Sequence, residues 1–110
     1  MNTPEETPLY EDMTVGEFLG LTPEEEILVE MKVALAKRLR EARAAAGTTQ
    51  KELAAKIGSG QARVAKMEAA NPDVSFELLI KGLLVAGATP SDIGKRLASV
   101  PFKKKPLAHI

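Results

Sequence analysis

The sequence predicts an all-α protein, a compact bundle of five to six helices whose long first helix is extended at its N-terminus. Three observations carry this. Ile27, Met31, Leu35, Leu39 and Ala42 recur at three- and four-residue steps, the spacing of one helix face. Threonine with glutamate three residues on recurs at Thr14–Glu17, Thr22–Glu25 and Thr49–Glu52. That is the signature of a helix start in which each side chain bonds the other residue's amide. No segment alternates apolar and polar residues over the length of a strand.

The elements follow in order. Residues 1–13, with two prolines and scattered acids, read as an arm. Thr14 opens a short helix to about Leu19, which Gly20 ends. Thr22 caps the long helix, and Pro23 occupies the position where a missing N–H costs nothing. Glu24, Glu25 and Glu26 lie at its positive end and Lys37, Arg38, Arg40 and Arg43 towards its negative end. This helix should run to about Ala46, with Gly47 as terminator. It is longer than a small compact domain needs, so its N-terminal half should protrude or meet a partner. Thr49 caps a short helix that turns Leu53, Ala54 and Ile57 inward. Gly58 stops it, and Ser59 can cap the next, about Gly60 to Ala69, with Val64 and Met67 inward. Asn71-Pro72 breaks the chain. Ser75 caps a helix with Leu78, Leu79, Leu83, Leu84 and Val85 as core candidates, and Gly87 ends it. Thr89-Pro90 begins a last helix with Ile93 and Leu97 inward. Pro101 ends regular structure ahead of the basic run Lys103–Lys105.

Three regions result: an acidic arm with a short helix at 1–22, a helical domain at 23–100 and a basic tail at 101–110. With 110 residues, 45% hydrophobic and 27% charged, the chain has the length and composition of one globular domain. No apolar run approaches a membrane span, and the start lacks a signal-peptide pattern. Cysteine is absent, which excludes disulfide scaffolds and thiolate metal sites and suits a cytoplasmic location. The single histidine, His109, is next to last, and no Gly-rich phosphate loop or metal-ligand spacing occurs. The chain therefore reads as no enzyme, with no cofactor, no metal and no small-molecule substrate.

The formal net charge is zero, but it is unevenly spread. Residues 1–31 carry nine acids and no base, whereas residues 32–70 carry nine bases and three acids. Charged blocks can be solvated helix faces. The alternative is a basic module that meets a polyanion behind an acidic segment that meets something else.

Two short helices separated by Gly58-Ser59 form the arrangement of a helix-turn-helix. Ala54 is small where the helices cross, and Val64 wedges between them. The run from Gly47 through Thr49, Gln50, Leu53 and Ala54 to Gly58, continued by Gln61, Val64, Met67 and Glu68, resembles the Cro/C1 (XRE) helix-turn-helix family, a lambda-repressor-like fold. The stretches Leu19–Glu25 and Asp73–Ile80 look like HigA-type antitoxins. One departure is visible: Ala69-Ala70-Asn71-Pro72 stands where the family usually has x-Gly after the glutamate.

The resemblance implies site residues. Gln61, Ala62 and Arg63 would face base edges, where glutamine suits adenine, arginine guanine, and an alanine methyl the thymine methyl. Lys66 would contact base or phosphate one turn later. Gln50 would bond a phosphate or serve the cap. Arg38 and Arg43 are backbone-contact candidates or a solvated face, and Glu68 should pair with one of them. The implied partners are double-stranded DNA with an inverted-repeat operator, a second copy of the chain, and a basic RelE-like ribonuclease toxin. Tyr10, Phe18, Leu19, Leu21 and Glu24 are the candidate partner-binding residues, because aromatics near a terminus make good anchors; they could equally fold onto the protein's own core. Two other readings remain open. One is a solitary XRE regulator. The other is an interaction module with weak DNA binding, favoured by zero net charge and by Gly60 in the recognition helix.

Overall fold

The structure, a computed structural model, describes residues 15–101. Among them are six α-helices and no strand: α1 Val15–Phe18, α2 Pro23–Ala45, α3 Gln50–Ile57, α4 Gln61–Glu68, α5 Phe76–Val85 and α6 Pro90–Ala98. The all-α expectation holds. The chain divides into two compact units, one spanning Glu30–Val100 and the other including the described residues up to Val29. Thr14, Tyr10, Lys103–Lys105 and His109 lie outside the described residues.

The helix starts are those the threonines specify. The Thr22 amide donates to Glu25 Oε1 at 2.8 Å, and the Glu25 amide donates to Thr22 Oγ1 at 3.1 Å. Thr49 and Glu52 exchange the same bonds at 2.9 and 3.0 Å, and Thr89 with Asp92 at 2.9 and 3.1 Å. Ser75 Oγ accepts from the Leu78 amide at 3.1 Å and caps α5. The expectation for Ser59 is corrected. Gly60, in an extended conformation and with no side-chain bond, is the N-cap of α4. The Ser59 amide is spent closing the previous helix, on the Ala54 carbonyl at 2.9 Å.

The helix ends share one device. At Gly58 (φ +78°) the chain enters the left-handed region, the Gly58 amide donates to Ala55 and the Ser59 amide to Ala54. This paired closure is the Schellman motif, and glycine usually holds its left-handed position. At the end of α4 the same two bonds run from Ala70 to Met67 and from Asn71 to Lys66, but the left-handed residue is alanine, with φ +55°.

The core lies in the unit Glu30–Val100. Leu35 and Leu39 of α2, Leu53 of α3, Val64 and Met67 of α4, and Leu79 and Leu83 of α5 are its largest fully buried side chains. Ile93 of α6 joins them, with Leu97 packed alongside. α3 packs against α4 and α5, and α5 against α6. Gly82 lets α5 come close: a Cβ there would sit 2.5 Å from Met67 Cε. Two ion pairs link α6 to α2, Arg38–Asp92 at 3.4 Å and Arg96–Glu41 at 2.7 Å. Two core expectations are corrected. Leu84 and Val85 are 48% and 36% exposed, because they fall one and two residues past Leu83 and rotate off the buried face.

Candidate nucleic-acid interface

The sequence of α4 divides it into two faces. Val64, Met67 and Glu68 point inward, while Gln61, Ala62, Arg63 and Lys66 are exposed. The turn Gly58-Ser59-Gly60 sets the angle between α3 and α4, and Ala54 and Val64 are buried at their crossing. The exposed first turn of α4 is the geometry that lets one helix enter a major groove about 12 Å wide. Beside it a shallow depression of about 220 Å³, lined by Ala62, Arg63, Lys66, Asp73, Val74 and Leu78, opens to solvent.

Gln50, the first residue of α3, is brought to the first residue of α4. Its Oε1 accepts from Gln61 Nε2 at 3.4 Å. Its own Nε2 donates to Glu68 Oε1 at 3.0 Å. Glu68 is 4% exposed and is the one buried charged residue among those described. Arg43 grips it with both ends of its guanidinium, Nε to Oε2 at 2.6 Å and Nη2 to Oε1 at 3.0 Å. Arg40 donates to the Glu68 backbone carbonyl, and Arg43 also donates to the Thr48 carbonyl at 3.0 Å. Burial pushes the Glu68 carboxyl up. The bonds from Arg43 and Gln50 and the charges of Arg43 and Arg40 outweigh it and hold the group below the ordinary glutamate range. The bond to Glu68 raises Arg43 in turn.

The structure therefore gathers Gln50, Gln61, Ala62, Arg63 and Lys66 on neighbouring turns. It places Arg43 on Glu68, one of the two partners expected for that glutamate. Arg38 is engaged instead with Asp92, a carboxylate 54 residues away. Sequence reasoning missed the link from Glu68 through Gln50 to Gln61. The available signal was a glutamate on the buried face of α4, in step with Val64, which needs polar partners. Gly60 lies ahead of α4, not within it, so the argument for weak DNA binding drawn from a glycine in the recognition helix is removed.

In the acidic segment, Phe18 and Leu19 are 59% and 65% exposed, and Leu28 and Val29 about half exposed. Glu24 is exposed and Leu21 half-buried; Tyr10 lies outside the described residues. No helix among the described residues is long and apolar enough to cross a membrane.

Residues 39–81 match a family model described as a helix-turn-helix. No curated protein and no solved structure matches the chain. The matched segment runs from Leu39 through α3 and α4 into α5, and so contains the turn at Gly58 and the exposed face of α4. Match and geometry together show a helix-turn-helix in residues 39–81.

Proposed function

We propose that the chain is a sequence-specific DNA-binding repressor, the antitoxin of a HigBA-like pair. In this reading it binds an inverted-repeat operator as a homodimer, represses its own operon and neutralises a basic RelE-like ribonuclease toxin. The observation that carries the DNA reading is the exposed quartet Gln61, Ala62, Arg63 and Lys66 on the outer face of α4. An amide, a methyl, a guanidinium and an ammonium there can address base edges and phosphates together. Two such helices in a dimer would lie about 34 Å apart, one turn of DNA. The toxin reading is supported by exposed Phe18, Leu19, Leu28 and Val29 beside the acids Glu24 and Glu25. Exposed apolar side chains in a segment rich in carboxylates suit a basic protein partner.

The test of the DNA reading is fluorescence anisotropy of the full chain on its own upstream DNA against a scrambled duplex. A specific repressor should separate the two by about a thousandfold or more. Arg63→Ala should narrow that gap while leaving weak non-specific binding in place. Equal affinity for both duplexes would overturn the reading and shift weight to an interaction module. For the toxin, a small basic reading frame beside this gene is expected, whose product copurifies with the chain. Deleting residues 1–22 should abolish that complex and spare DNA binding. A gene with no such neighbour would leave a solitary regulator.

A further inference from the structure

We infer that Asp73 is a brake on DNA affinity: its carboxylate, held beside Arg63 and Lys66, opposes the phosphate backbone that those two cations attract. The inference rests on the DNA-binding reading above and concerns a residue which that reading does not use.

The loop after α4 holds Asp73 in one place. Asn71, Pro72, Asp73 and Val74 form a turn, closed by the Val74 amide donating to the Asn71 carbonyl at 3.0 Å. Asparagine first and proline second are residues such a turn favours. Inside it the Asp73 amide donates to Asn71 Oδ1 at 2.9 Å. From α2, Lys32 Nζ donates to the Pro72 carbonyl at 3.3 Å and lies 5.6 Å from the centre of the Phe76 ring. Val74, 3% exposed, anchors the turn in the core. Asp73 thus has fixed neighbours on both sides, while it is itself exposed.

Asp73 lines the same depression as Ala62, Arg63 and Lys66. It takes part in none of the ion pairs among the described residues. A space of about 220 Å³ is about 6 Å across, inside the screening length of about 8–10 Å at ordinary salt. A phosphate drawn to Arg63 and Lys66 therefore feels the Asp73 charge as well. The carboxylate is one methylene from a fixed backbone and cannot swing out of the way. Every nucleotide carries the phosphate, so the repulsion is the same for any base sequence. A unit charge at about 6 Å changes binding about threefold at the dielectric of water and about tenfold at half of it. Asp73 thus offsets about one of the two cations of this face against arbitrary DNA.

The experiment is fluorescence anisotropy of the full chain on its own upstream DNA and on a scrambled duplex, between about 50 and 200 mM salt. It compares the native protein with Asp73→Asn and Asp73→Glu. Asparagine keeps the shape and suits the turn but carries no charge; glutamate keeps the charge. Asp73→Asn should bind both duplexes about threefold to tenfold more tightly at the lowest salt. The gain should shrink as salt rises, so the slope of log affinity against log salt should steepen by up to about 0.9 for each chain bound. Asp73→Glu should stay within about twofold of the native protein. Asp73→Asn binding no tighter, at an unchanged salt slope, overturns the proposal, because DNA then does not feel the charge. Weaker binding by both variants also overturns it and makes Asp73 a residue of the turn alone. A loss confined to the upstream duplex overturns it too, in favour of a carboxylate that reads a base. A native chain that binds both duplexes alike and is tightened by Asp73→Asn overturns the sequence-specific reading and supports the brake. No binding of either duplex by the native chain or by Asp73→Asn overturns both. Circular dichroism checks that each variant is folded.

Discussion

Replacing Ala70 by glycine should stabilise the protein. Ala70 sits at φ +55° in the left-handed position of the motif that closes α4. An L-residue with a Cβ costs about 1–2 kcal/mol there. Glycine removes that cost but gains freedom in the unfolded chain, which offsets about 0.4–1 kcal/mol. The net gain is about 0.5–1 kcal/mol. For a domain of 60–100 residues each kcal/mol moves Tm by about 4–8 °C, so the rise should be about 2–8 °C. The neighbouring alanine supplies the control. Ala69, at φ −93°, has no left-handed strain to relieve, so Ala69→Gly should lower stability by about 0.5–1 kcal/mol. Thermal unfolding followed by circular dichroism at 222 nm reads both. If Ala70→Gly melts at or below the native temperature, or if the two variants behave alike, the reasoning about the left-handed position is refuted.

Leu39→Ala removes a side chain with no exposed surface from the centre of the core; urea unfolding should show a loss of about 2–5 kcal/mol. Ser75→Ala leaves the Leu78 amide without its 3.1 Å acceptor and should cost about 1 kcal/mol in the same assay. The folded-state value of Glu68 is depressed below its ordinary 4.5, so its contribution is present above that pH and is lost as pH falls through the depressed value. Acid titration of stability should therefore be shallower in Glu68→Gln than in the native chain, on a lower plateau. Parallel curves would mean that Glu68 is not the linked group.

Much of this architecture was legible because local chemistry decided it. Thr22 and Thr49 mark the helix starts since each has its glutamate three residues on, and Gly58 marks the sharp turn. Ser59 misled because serine favours two roles at such a junction, and here its amide completes one helix before its hydroxyl can start the next. Leu84 and Val85 misled because a run of apolar residues does not reveal where the buried face stops. The acidic partner of Arg38 was hidden for a different reason. Asp92 is distant in sequence, and only the packing of α6 beside α2 brings it within reach. The Glu68–Gln50–Gln61 link is likewise tertiary: glutamine has no fixed partner until the crossing of α3 and α4 supplies one.

The engagement of the α2 bases has a consequence for counterions. Of the nine basic residues between 32 and 70, Arg38, Arg40 and Arg43 are bonded within the protein, and Lys32 donates to the Pro72 carbonyl at 3.3 Å. Lys37, Lys51, Lys56, Arg63 and Lys66 remain with exposed side chains. A duplex gives up its condensed sodium ions only to cations that reach its phosphates, at about 0.9 per contact. On a duplex this segment can thus release at most about four to five ions, near half of what its composition suggests. Its grip on arbitrary DNA should fade at modest ionic strength.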